Sequence, residues 1–402
     1  MKKSIFFNFC FIFAILLTFL NSCTQQKERY VVVLSVDGFR WDYPEKAHTP
    51  TLDSLAKVGV RSTFRPSYPS NTFPNHYSMA TGLHPDHHGL VNNTFYAEDI
   101  DSIYSIGNRI AVANPHFYGG EPIWNTAQKQ DVKAAAFYWV GSETAIQGMQ
   151  PSIWKPFDDS VPFINRADSV ISWLKLPEEI RPHLIMWYYE EPDGIAHYAG
   201  PDSSATLNMV EEIDLVLNHF FTQARELDIF EQIDFIVLSD HGMATYYPEN
   251  YVNLNDYLPR DSFHFAFDGV PTTLYPKEGY TEKAMEILKT VPHVTAYRKG
   301  EIPEKYIYGT HPRIGEIVVM PDIGTYLHFR ANSRSYFGST HGYDNFAPEM
   351  QAIFYAAGPS FKKGVETPPM ANVNLYLLIA RLLGIEPAPN DGDDAVIQQL
   401  LR

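Results

Sequence analysis

The chain has 402 residues, 45% of them hydrophobic, enough for one large α/β domain or two ordinary ones; this excludes a disordered or fibrous protein. A formal net charge of -16 excludes broad contact with duplex nucleic acid and leaves room for a small anionic substrate only where cations supply local positive charge. The two cysteines, Cys10 and Cys23, both lie in the first stretch of the chain, so no thiol remains for a disulfide in the folded part.

In chain order, Lys2 and Lys3 precede an apolar run from Ile5 to Leu20, the pattern of a secretory signal. Leu20-Asn21-Ser22-Cys23 then resembles a bacterial lipobox, with Cys23 the lipidated residue. Residues 1–22 are expected to be a lipoprotein signal peptide, 23–29 a polar tether, and 30–402 the folded domain. The lipid would hold the protein at the cell envelope, on the periplasmic face of an outer membrane. Oligomeric state is not legible.

Tyr30 to Val36 (YVVVLSV) reads as a strand buried on both faces, ending at Asp37-Gly38. Thr49-Pro50 opens a helix that Gly59 closes. The stretch from Pro69 to Asn93 places Thr72 just before Phe73-Pro74, another helix start. A hydroxyl there sits at the positive end of the helix dipole, which favours its alkoxide, although an arbitrary threonine in that setting is a helix cap. Lys133–Trp139, His183–Tyr189, Phe235–Ser239 and Ala352–Ala357 read as core strands, with helices over Ala205–Leu227 and Asn372–Leu383. Strands alternating with helices imply an α/β fold, a mainly parallel sheet sandwiched by helices. Ser142–Pro182 reads as a rim over the site, and residues 246–335 as an inserted, smaller α+β subdomain.

Segments rich in hard or borderline metal ligands recur at predicted strand ends and loops. They are Asp37 in SVDG, Asp193 and His197 in EPDGIAH, Asp240-His241 in LSDHGM, and His341 in STHGYDN. Ligands at strand carboxyl ends converge on one edge of an open α/β sheet. Asp, His and a threonine alkoxide suit zinc, and two ions together form a clamp for phosphoryl transfer. Taken singly, each segment reads as a turn or cap. His84, His87 and His88 read as structural or solvated, His76 as a structural residue that packs or hydrogen-bonds on the helix after Thr72, and Asp42 and Asp53 as helix or loop caps.

These segments, with TPTLDSLAKVGV, TFPNHYSMATGLHPDHHG, GEPIWNTA and MQAIFYAAGPSFKKG, resemble the nucleotide pyrophosphatase/phosphodiesterase family of the alkaline phosphatase superfamily across about Tyr30 to Pro389. The resemblance implies an alkaline-phosphatase-like fold and hydrolysis of nucleotide phosphodiester or phosphoanhydride bonds, releasing a nucleoside 5′-monophosphate. Thr72 would be the nucleophile, and Asn93 would donate its amide to a phosphate oxygen, helped by the Phe73 N–H. Two zinc ions would sit in each chain, one on Asp193, His197 and His341, the other on Asp37, Asp240, His241 and the Thr72 oxygen. Phe73 and Phe157 would form a slot for the base, with Tyr188 near the phosphate. Ala196 stands where the family often has glycine, and Val112 where some nucleotide-cleaving members have lysine, so one base or phosphate contact is expected to be missing. The alternative enzyme reading is a lysophospholipid or choline-phosphate ester phosphodiesterase; a binding lipoprotein without turnover is the reading from another class.

Overall fold

The computed structural model describes residues 29–330 and 335–402. The expected signal peptide, Cys23 and the expected tether up to Glu28 lie outside the described residues.

The central sheet is mixed but mainly parallel. Its strands are β1 (Tyr30–Val36), β2 (Val60–Arg65), β3 (Ala134–Phe137), β4 (Ile153–Lys155), β5 (Leu184–Tyr189), β6 (Ile233–Leu238) and, far along the chain, Ala352–Ala357, with the two short strands Val365–Glu366 and Met370–Ala371 beside β2. β1 lies at the centre, parallel to β5 on one side and β6 on the other, with Val33 opposite both Met186 and Ile236. The Ala352–Ala357 strand runs antiparallel between β6 and β2. Period-2 alternation along β1 divides two cores: Val31 and Val33 face one, while Val32, Leu34 and Val36 face the other.

Each core is closed by helices, as expected for an α/β sandwich. On one face lie α1 (Pro50–Val58), α3 (Phe163–Leu174) and α5 (Ser204–Ala224); on the other are α2 (Thr72–Thr81) and a C-terminal helix, Asn374–Leu383. A short α4 (Asp193–Ala199) follows β5. The layout carries Asp37, Asp193 and Asp240 to the carboxyl edge of β1, β5 and β6.

Some expectations need correction. Lys133–Trp139 is a strand only over Ala134–Phe137, because Tyr138 takes a φ of 68°, which ends the ladder. Ser142–Pro182 is more than a rim: α3 turns Ala167, Val170, Ile171 and Leu174 inward at helical spacing, beneath the sheet. Asp42 caps nothing and instead pairs with Arg40 at 2.6 Å and Lys46 at 2.7 Å. Asp53 lies exposed in the first turn of α1, one turn past the N-cap Thr49.

Between β7 (Ala244–Tyr246) and β12 (Gly338–Thr340) the chain builds a separate four-stranded antiparallel sheet. Its strands are β8 (Phe263–Phe267), β9 (Thr272–Pro276), β10 (Val294–Arg298) and β11 (Ile317–Pro321), in the order β8-β9-β11-β10. The helix Thr281–Leu288 covers it, around Leu254, Leu274, Leu288 and Val319. Two side chains tie this unit to the helix region after Thr72. The buried carboxylate of Asp86 accepts from the backbone N–H groups of Gly309, Thr310 and His311 and from the Thr310 hydroxyl. Arg313 forks onto Asp99 and donates to the carbonyls of Gly89 and Phe117. Removing a buried charged acceptor strands its donors, at about 1.5–3 kcal/mol per charged hydrogen bond. Asp86→Ala is therefore expected to lower the melting temperature by several degrees, read by calorimetry; an unchanged melting temperature would show that the tie contributes nothing.

Candidate active site

The ligand segments meet at the carboxyl edge of the sheet. Asp37 directly follows β1, and its neighbour Gly38 takes a φ of +65°. A Cβ at Gly38 would lie 2.8 Å from the Cβ of Asp193, so only glycine lets these two carboxylates approach. Asp193 and His197 share one face of α4 at i, i+4, with His197 Nε2 3.2 Å from Asp193 Oδ2. His341 Nε2 lies 3.6 Å from Asp193 Oδ1. On the other side, His241 Nε2 is 3.1 Å from Asp240 Oδ2 and 3.3 Å from Asp37 Oδ1. The rings of His241 and His341 stack at 3.7 Å between centroids, joining the two groups.

The three imidazoles are held alike. Nδ1 of His197 lies 2.7 Å from the Ser339 carbonyl, that of His241 2.9 Å from the Gly242 carbonyl, and that of His341 3.0 Å from the Ser70 carbonyl. A carbonyl only accepts, so each Nδ1 carries a proton and each ring presents its Nε2 to the carboxylates. Among the described residues, Asp37 Oδ1, Asp193 Oδ1 and Asp240 Oδ2 are buried without a hydrogen-bond partner. Imidazole nitrogens and carboxylate oxygens converging at 3.1–3.6 Å need a cation between them, either a proton or a metal ion. The residues therefore fit a divalent metal centre, and the donor set of Asp and His fits zinc.

The proton affinities of the cation-free cluster report the same crowding. Burial, then the charges of Asp240 and Asp193, push Asp37 well above the usual carboxylate range. Burial alone would raise Asp193, but the His197 ring reverses the shift and takes it down to about 2. Burial lowers His197, yet Asp193 outweighs it and raises the imidazole to about 9. His341 is pushed down to about 3 by burial and then by His241.

Thr72 opens α2, with Asn71 at the N-cap position, and its Oγ1 lies 3.1 Å from His241 Nε2. The hydroxyl thus sits at the positive end of a ten-residue helix and against the Asp37–Asp240–His241 group. His76, one turn on, hydrogen-bonds on the helix as expected: Nδ1 donates to the Thr72 carbonyl at 2.9 Å and lies 3.4 Å from Asp240, while Nε2 meets Ser35 Oγ at 2.8 Å. It thus steadies the helix start that carries the nucleophile, at i+4 spacing from Thr72.

Residues 31–344 match the family described as type I phosphodiesterase / nucleotide pyrophosphatase. The chain belongs to that family. It is 33% identical to ectonucleotide pyrophosphatase/phosphodiesterase family member 3 of Rattus norvegicus, over 92% of this chain and 44% of that protein. It is also 33% identical to the venom phosphodiesterase CdcPDE of Crotalus durissus collilineatus, over 92% of this chain and 46% of the relative. The chain thus spans under half the length of the curated relatives it matches. Among solved structures, murine ectonucleotide pyrophosphatase/phosphodiesterase 5 has a TM-score of 0.89 and 31% identity, covering 93% of this chain and all of that one. That structure is of an inactive threonine-to-alanine variant in complex with AMP. The likeness gives this family member the alkaline-phosphatase-like fold expected from its sequence.

The substrate side of the site differs in detail from expectation. The Phe73 N–H is not an open donor; it is taken by Asn93 Oδ1 at 3.0 Å, which turns the Asn93 amide NH2 outward. The Tyr188 hydroxyl donates to Asp37 Oδ2 at 2.5 Å, so it orients a ligand rather than standing open beside a phosphate. Phe73 and Phe157 do not touch: Phe73 meets Tyr104, and Phe157 meets Tyr138 at 5.3 Å and Tyr188 at 6.5 Å. Phe157 is 37% exposed. Val112 is buried in the same core as Phe117, and Ala196 is buried within α4.

Proposed function

We propose that the protein is a two-zinc phosphodiesterase/pyrophosphatase that releases nucleoside 5′-monophosphates through a covalent intermediate on Thr72. The observation that carries this is the hydroxyl of Thr72, at a helix start, 3.1 Å from His241 Nε2 and beside three buried, unpartnered carboxylate oxygens. The AMP complex of the similar murine protein supports a nucleotide as the substrate class.

Asp193, His197 and His341 would hold one zinc, and Asp37, Asp240, His241 and the Thr72 oxygen the other. When bound, the ions would neutralise phosphate charge and lower the pKa of the attacking hydroxyl and water. Thr72 Oγ, having lost its proton, forms a bond to phosphorus as the bond to the leaving oxygen breaks in line with it. The leaving group departs with the electron pair and takes up a proton. Water then attacks from the vacated side, breaks the Oγ–P bond, and the nucleoside monophosphate leaves while Thr72 regains a proton. Asn93, its carbonyl pinned by the Phe73 N–H, aims its amide at the non-bridging oxygen where charge builds. Tyr188 holds Asp37 in place through its hydroxyl.

Parallel kinetics on a nucleoside 5′-phosphodiester and a choline-phosphate ester test the substrate class. A clearly higher kcat/KM is expected for the nucleotide; the reverse order would transfer the assignment to lipid headgroups. Stacking on an aromatic side chain is worth about 1–3 kcal/mol per base. Phe157→Ala is accordingly expected to cost about tenfold in kcat/KM for the nucleotide ester. An unchanged value would remove Phe157 from the base slot.

A further inference from the structure

The strand pair β7–β12 links the ligands to an exposed aromatic pair. β7 leaves the Asp240-His241 segment and ends at Tyr246, while β12 runs antiparallel to it and leads into His341. The ligands therefore lie at one end of this ribbon, and Tyr247 and Phe337 at the other. The two rings are 5.9 Å apart, and they are 50% and 47% exposed. Phe337 also lies over the end of α4, where a Cβ on Gly200 would meet its ring tip at 3.5 Å. That helix carries Asp193 and His197, and the Ser339 carbonyl within the ribbon fixes the His197 ring.

In-line displacement gives this position a meaning. In the mechanism proposed above, Thr72 attacks from beside His241, and the leaving oxygen is assigned to the group of Asp193, His197 and His341. The ribbon starts there. Four strand residues from His341 to Phe337 span about 13 Å, comparable with the reach of a second nucleotide from phosphorus to base. The expected base slot at Phe73 and Phe157 is built on other elements and leaves these rings unused.

We propose that Phe337 and Tyr247 form a second aromatic platform that stacks the base of a leaving group that is itself a nucleotide. The preferred substrates would then be dinucleoside pyrophosphates and similar two-base esters rather than nucleoside triphosphates, whose leaving group carries no base. This inference rests on the nucleotide-cleaving reading above. Either ring offers a π-face that accepts any base.

The test compares kcat/KM for diadenosine pyrophosphate and for adenosine triphosphate in the wild-type enzyme, Phe337→Ala, Phe337→Trp and Tyr247→Ala. Phe337→Ala is expected to lower the ratio of the two values about tenfold, Phe337→Trp to restore it, and Tyr247→Ala to lower it less. Equal losses on both substrates would show a purely structural role for Phe337 and overturn the platform, as would an unchanged ratio. Wild-type enzyme that turns over neither nucleotide would instead overturn the underlying nucleotide reading. Zinc content by atomic absorption, compared across the variants, checks that the ribbon still holds His341 in place.

Discussion

Thr72→Ala is expected to lower turnover by at least about a thousandfold, because a nucleophile removed from a concerted site costs nearly the whole covalent route. Such a drop is about 4 kcal/mol of transition-state stabilisation. The variant should keep its bound zinc, since the remaining ligands Asp37, Asp240 and His241 come from two chain segments that do not depend on the hydroxyl. Thr72→Ser, which keeps the oxygen at the helix start, should retain measurable turnover. Steady-state kinetics with metal analysis decides this, and undiminished turnover in Thr72→Ala would mean that water attacks phosphorus directly.

Removal of the metal should have the next largest effect and should touch stability as well as activity. Chelation and dialysis are expected to abolish turnover, with zinc restoring it. They should also lower the melting temperature by several degrees, because an ion that binds only the folded state stabilises it by mass action. Without metal, Asp37, Asp193 and Asp240 leave buried carboxylate oxygens without partners, an arrangement that costs free energy on folding. His341→Ala should lose one ion of the two. A chelated protein with undiminished melting temperature and turnover would contradict a metal centre altogether.

Most of the architecture was legible because burial writes itself into local pattern. The YVVVLSV run announced a strand covered on both faces, and it is the centre of the sheet. α3 was less legible, since its inward residues sit among aromatics and prolines that read as irregular surface. At the site, ligand types could be read from Asp and His at strand ends, but their orientation could not. The carbonyls that fix His197 and His341 lie 142 and 271 positions away in sequence. Backbone acceptors leave no trace in residue identity. The same holds for the Phe73 N–H, which was expected to meet substrate and instead holds Asn93. The Phe337–Tyr247 pair likewise exists only because β7 and β12 pair across an intervening subdomain.

The central claim, a threonine nucleophile between two metal groups, is tested most directly by a crystal structure with zinc and a nucleoside 5′-monophosphate, read by anomalous scattering at the zinc edge. The account predicts two ions, one on Asp193, His197 and His341 and one on Asp37, Asp240 and His241. The phosphate should lie between them, in reach of both Thr72 Oγ and the Asn93 amide. A single ion, or a phosphate seated away from Thr72, would contradict it.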